Sequence, residues 1–227
     1  MSIRMVVLVS VLMLSSLPRV AHAYWGVYDV GNLAALDFSY KLSRIQTKIA
    51  ERAGKSGSTA SKPLPTVERP RSTAARELAQ AYPAAERERV AQLFATLLQK
   101  YGEIEDRFSI RRGDIGGALA AFIAGNMMAM RQQDFPDEHF AALVRQMREH
   151  IGRDPAYRRI DAHEMRRTYE QLAIVGMFMA ATQMALAQQP DEGLRERSMG
   201  AARRYLSTVI PGDLDRLQIT ADGLSQR

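Results

Sequence analysis

Two stretches of this chain, Ile115 to Met130 and Leu172 to Ala187, run for more than four helical turns without a single charged residue. A helix that is apolar on every side has no face to offer to water, so each must be wrapped by other elements or by lipid. Both are also studded with small residues: Gly116, Gly117, Ala120, Ala121, Ala124 and Gly125 in one, Gly176, Ala180, Ala181 and Ala185 in the other. Small side chains four residues apart share a helix face and let two backbones approach. The pair is therefore expected in mutual contact at the centre of a bundle, with the remaining elements packed round it.

Those elements carry helix signals. Ser72 and Thr73 suit a cap for a short helix to Ala81, and Pro83 suits the first turn of the next. Val90, Leu93, Phe94, Leu97, Tyr101, Ile104 and Phe108 then hold one face. Gly113 and Asp114 read as a break and a cap. Pro136 with Asp137 and Glu138 opens a helix whose inner face is Phe140, Leu143, Val144, Met147 and Ile151. Asp161 and Glu164 have capping-box spacing at the start of a long helix to Gln189. Pro190 and Asp191 begin another, faced by Leu194, Ser198, Ala201, Tyr205 and Val209 and stopped by Pro211-Gly212. The tail is expected to add a turn or short helix around Thr220 to Leu224. The fold class is thus all-α: a compact bundle of about six helices over residues 74–227, with a separate N-terminal helix.

The sequences 116–131 (GGALAAFIAGNMMAMR), 136–140 (PDEHF), 170–180 (EQLAIVGMFMA) and 219–224 (ITADGL) resemble, in this order, an uncharacterised family of exported bacterial helical proteins, a domain of unknown function. The resemblance covers residues 74 to 224, leaves the leader outside, and implies a bacterial exported helical domain with no known activity. No catalytic residue is carried over by it.

The leader has its own organisation. Arg4, an apolar run from Met5 to Leu14 and Ala21-His22-Ala23 predict a signal peptide cut after Ala23, before Tyr24. The run from Met5 to Leu17 falls short of the roughly 20 apolar residues of a membrane anchor. With no Cys in the chain, lipoprotein attachment, thiol catalysis and disulfide bracing are excluded, and the core must hold by packing. The expected location is exported, either periplasmic or secreted.

Residues 24–52 combine an aromatic segment, Tyr24, Trp25 and Tyr28, with one expected helix over 32–52. Phe38, Leu42, Ile45 and Ile49 form its apolar stripe, and Lys41, Arg44, Lys48 and Arg52 repeat the same spacing roughly 85° round the helix. This basic stripe is the candidate partner-binding surface, suited to an anionic membrane or an acidic protein, though its apolar neighbour equally suits packing on the domain. Residues 53–73, rich in Gly, Ser, Thr and Pro, read as a linker. The net charge of +6 lies almost wholly in the first third of the chain, since residues 74–227 hold 21 bases and 21 acids. Nucleic acid is accordingly not expected as a partner.

Catalytic motifs do not converge. Gly54-Lys55-Ser56 lacks the earlier Gly of a phosphate-binding loop, and His163-Glu164 lacks the second His of a zinc-protease helix. Asp134, Asp137, Glu138 and His139 are read as helix-capping residues in preference to metal ligands, and no cofactor is implied. Glu103, Glu105 and Asp106 are expected to be exposed acids balancing Arg107, Arg111 and Arg112. Asn126 and Gln183 are the candidate buried polar residues, expected either to bond between helices or to line a small pocket with Met127, Met130, Met177 and Met179. The leading functional expectation is an exported non-enzymatic helical domain that binds an envelope component or protein partner. The alternatives are an envelope hydrolase using carboxylates such as Glu103 or Glu170, favoured by a pocket uniting Glu170, Asn126 and His139, and a membrane-active helical protein.

Overall fold

The structure is a computed structural model and describes residues 73–226 apart from 154–156, 158 and 159. The signal segment, the leader helix over 32–52 and the linker lie outside the described residues. Six α-helices follow in order: α1 (Ala74–Ala79), α2 (Arg87–Arg107), α3 (Ile115–Arg131), α4 (Asp137–Arg153), α5 (Ala162–Gln188) and α6 (Glu192–Ser207). A 3-10 turn (Leu214–Arg216) leads into a hairpin of β1 (Leu217–Thr220) and β2 (Gly223–Gln226). The domain is therefore mostly helical, and the two strands qualify the all-α expectation.

Helices α3 and α5 form the centre, as their composition requires. Every residue of α3 from Ile115 to Met130 is buried, as is α5 from Glu170 to Gln183. α4 and α6 pack on α3, while α2 and α1 pack on α5. The two central helices touch through their backbones at a glycine crossing. A Cβ added to Gly125 would lie 2.0 Å from the carbonyl oxygen of Gly176, and one added to Gly176 would lie 2.4 Å from that of Ala121. No side chain fits between them. α2 runs antiparallel to α5, with Phe94 edge-on to Phe178 (ring centroids 5.8 Å apart) and Tyr101 edge-on to Tyr169 (5.9 Å).

The helix ends follow from their caps. Asp114, Asp161 and Asp191 each accept a hydrogen bond from the backbone N–H three residues on, at 2.9, 2.9 and 2.8 Å. Two expected starts differ. Thr73 makes no side-chain bond to the backbone of α1, its hydroxyl donating instead to the Glu77 carboxylate at 3.0 Å. Pro83 heads a turn closed by Glu86 N–H donating to its carbonyl, and α2 begins only at Arg87. The inner faces expected for α4 and α6 are all buried.

The hairpin replaces the turn or helix expected near Thr220 to Leu224. Leu217 pairs with Gln226, and Thr220 pairs with Gly223 across Ala221-Asp222. Gly223 sits at φ +106°, open in practice only to glycine, and its missing Cβ leaves room for Gln146 of α4. The Gln146 amide bonds both backbone groups of Leu224, at 2.9 and 2.7 Å, which ties β2 to α4.

The glycine crossing makes a direct prediction. Gly125→Ala or Gly176→Ala forces two buried helices apart and is expected to lower stability by about 3 kcal/mol or more. Gly200→Ala on α6, where the nearest atom to a new Cβ is the Arg204 guanidinium at 3.6 Å, is expected to gain up to about 1 kcal/mol from helix propensity. Urea melts of the three variants check both signs.

Candidate functional site

Helices α3 and α5 leave their crossing in the same direction, so both C-terminal ends come to one end of the bundle. Seven residues, or two turns, beyond Gly125 and Gly176 stand Gln132 and Gln183, on the same faces as the glycines. Helices that touch at a point and cross at an angle must separate along their length. Here the separation, about 10 Å past the contact, opens a cavity of about 590 Å³. Its walls include Met128 from α3, Gln132 at the C-cap of that helix, Asp134 from the following loop, and Gln183, Met184 and Ala187 from α5.

Three properties define its chemistry. Apolar surface comes from Met128, Met184 and Ala187, and thioether side chains adapt to irregular ligands. The Gln183 side chain is more than nine-tenths buried, and its carbonyl oxygen has no hydrogen-bond partner. The third property is electrostatic: two parallel helices aim their partial negative ends at the same space. α5 has no basic residue in its last turn. The one in α3, Arg131, is committed elsewhere, donating to the carbonyls of Leu214, Asp215 and Leu217 at 3.2, 2.5 and 3.2 Å. Two converging helix C-termini and the unpartnered Gln183 carbonyl favour a group that is cationic or donates hydrogen bonds.

The N-terminal end of α3 contrasts with this. Asp114 caps the helix through one oxygen and takes Arg148 Nε at 2.5 Å through the other. Beside it Glu105, fully buried, accepts from the Tyr169 hydroxyl at 2.8 Å and from Gly113 N–H at 3.2 Å, with Arg112 at 3.5 Å. This arrangement clasps the loop between α2 and α3, where Ser109 and Gly113 both take positive φ. Burial first, and then the Glu105 carboxylate, hold the Tyr101 phenol well above its ordinary pKa, so it stays neutral there. The expectation of exposed acids is corrected for Glu105. It lies four residues after Tyr101 on the inner face of α2, whereas Asp106, one residue on, is exposed and pairs with Arg112.

The other sequence candidates fall as follows. Lys41, Arg44, Lys48, Arg52 and the cut after Ala23 lie outside the described residues. Asn126 is fully buried, but its amide donates to Phe122 O within its own helix at 2.8 Å, so it gives no bond between helices. Its carbonyl oxygen has no partner. Asn126 does not share the cavity wall with Gln183. Met127, Met130, Met177 and Met179 are core residues, and Met128 and Met184 take the place expected for them. Met127 is two residues past Gly125, about 200° round the helix, and so faces away from α5. Glu103 is exposed and pairs with Lys100 at 2.8 Å, while Glu170 is buried against Arg166 at 2.8 Å. Glu170, Asn126 and His139 do not meet in the cavity. Asp137 pairs with Arg107, and the described residues contain no cluster of three or more His, Cys, Asp or Glu able to hold a metal.

These features define a mostly helical domain with a ligand-sized cavity between the ends of its central helices. The chain belongs to a family of unknown function (DUF6683), which it matches over residues 7–227. That span corrects the expectation that the leader lies outside the family, because leader, linker and domain are all matched. No curated protein and no solved structure matches the chain.

The buried clasp is tested by a double-mutant cycle. Glu105→Ala strands the Tyr169 hydroxyl and Gly113 N–H and is expected to cost about 2–4 kcal/mol. Combined with Tyr169→Phe, chemical denaturation is expected to show coupling of about 1–2 kcal/mol.

Proposed function

We propose that this protein is an exported, non-enzymatic binding domain of the cell envelope, whose cavity at the ends of α3 and α5 takes a ligand with an apolar body and a cationic or hydrogen-bond-donating flank. The observation that carries this reading is the cavity itself: methionine walls, the buried and unpartnered Gln183 carbonyl, and two helix C-termini, of which α5 has no base in its last turn and α3 has its Arg131 held by backbone carbonyls before the hairpin. A volume of about 590 Å³ lies within the range of ligand-binding clefts, roughly 300–1,000 Å³. Neither carboxylate of the hydrolase reading lines it. α5 is long and apolar enough to cross a membrane, but 89% of its apolar window is buried in the bundle, which favours a core role over insertion.

Export rests on the signal-like segment and gives the first test. N-terminal sequencing of the protein from its own cells is expected to begin at Tyr24, in the envelope fraction or the medium. A cytoplasmic chain retaining Met1 would refute export.

Binding is tested with dodecyltrimethylammonium and dodecyl sulfate, each below its micellar concentration. The cation is expected to bind saturably at one site and the anion at least tenfold more weakly. Ala187→Trp, which fills the exposed rim of the cavity, is expected to reduce uptake of the cation tenfold with an unchanged melting temperature. Equal uptake of both amphiphiles, or indifference to Ala187→Trp, overturns the reading.

A further inference from the structure

The geometry points to an occupant for this cavity within the same chain: the leader segment 32–52, seated by its apolar stripe with its basic stripe against the helix ends. The inference rests on the reading of the cavity as a binding site and adds what fills it.

Complementarity comes first. The cavity asks for apolar side chains with positive charge beside them. The leader offers Phe38, Leu42, Ile45 and Ile49 on one line and Lys41, Arg44, Lys48 and Arg52 on the next, at the same spacing. Residues 74–227 balance 21 bases against 21 acids, so no overall field selects another face for that stripe. Local charge decides: the C-terminal ends of α3 and α5 meet here, α5 has no base in its last turn, and the one in α3, Arg131, is held by the carbonyls of Leu214, Asp215 and Leu217. A Lys or Arg there also supplies the donor that the Gln183 carbonyl lacks.

Reach comes second. Between Arg52 and Thr73 stand 20 residues, spanning at most about 70 Å when extended and about 25 Å as a root-mean-square coil. A domain of this size has a radius of gyration of only about 15 Å. Every point on its surface is therefore within range, and a tether of this kind holds its cargo at roughly millimolar effective concentration. A weak intrinsic affinity suffices for occupancy under those conditions.

The family match spans this segment as well as the domain, over residues 7–227.

The absence of Cys makes the test clean, since two introduced thiols have only each other to find. In the full mature chain, Ile45→Cys is combined with Ala187→Cys at the cavity rim or with Glu149→Cys as control. Glu149 neighbours Arg148, whose backbone lies against Gly116 at the opposite end of α3, about 25 Å away along the helix. Under mild oxidation the 45–187 disulfide is expected within one chain at ten or more times the yield of the 45–149 disulfide. It should fall toward the control when Lys41, Arg44, Lys48 and Arg52 are all replaced by Glu. Equal yields, a 45–187 bond found only between two copies, or indifference to the charge reversal overturns the inference. Dodecyltrimethylammonium, measured on the charge-reversed chain in which the leader no longer competes for the cavity, separates the two levels. Saturable binding of the cation with equal disulfide yields removes the leader as occupant and leaves the cavity a binding site, while failure of both removes both.

Discussion

The structure depends on the contact of two backbones at Gly125 and Gly176. Hydrophobic burial alone would bring α3 and α5 together at ordinary interaxial distance, with side chains between them. The glycines remove those side chains, so the carbonyl of each helix lies against the Cα of the other and the pair is held at a single crossing point. Much else follows. Both helices are closed off from solvent, which lets their sequences abandon polar residues. Four other helices have apolar faces to rest on, and the lines of α3 and α5 beyond the crossing are fixed, including the gap between their ends.

That gap is one half of an asymmetry running along α3. At its N-terminal end every charge has a fitting counterpart: Asp114 meets the positive helix end and Arg148, and Glu105 holds the loop that feeds it. At its C-terminal end the opposite holds. Arg131 turns aside to secure the chain entering the hairpin, α5 contributes no base, and the buried Gln183 carbonyl is left without a donor. A buried carbonyl without a partner beside a cavity is a place where a ligand has a hydrogen bond to contribute.

Much of the helical frame was legible because burial writes itself into periodicity. The inner faces of α2, α4 and α6, the central pair and the aspartate caps all follow from apolar spacing and turn chemistry. What escaped was decided by neighbours. Glu105 was read by its charge, although its place four residues after Tyr101 already set it on the buried face of α2. The hairpin was missed because its strands are too short for alternation to register, yet Asp222-Gly223 was a turn signal in plain view. The cavity was the hardest to foresee. It lies two turns along the small-residue face and not at the methionines beside Asn126, and nothing in the order of residues states that parallel helices leaving a tight crossing must part.

The same parting weighs on the choice between a binding domain and a membrane-active one. Inserting α5 into lipid would separate it from α3 and surrender the glycine contact, the Phe94–Phe178 and Tyr101–Tyr169 ring pairs and the Tyr169–Glu105 bond together. Lipid returns the apolar environment but not the polar partners, and it leaves Glu170 and Gln171 at membrane depth. Filling the cavity asks for none of this. The helices keep their crossing, and an incoming donor satisfies the buried Gln183 carbonyl that the fold leaves without a partner. Under the proposed docking, a segment that begins 20 residues ahead of the domain meets that demand at low entropic cost, because the chain keeps it within reach.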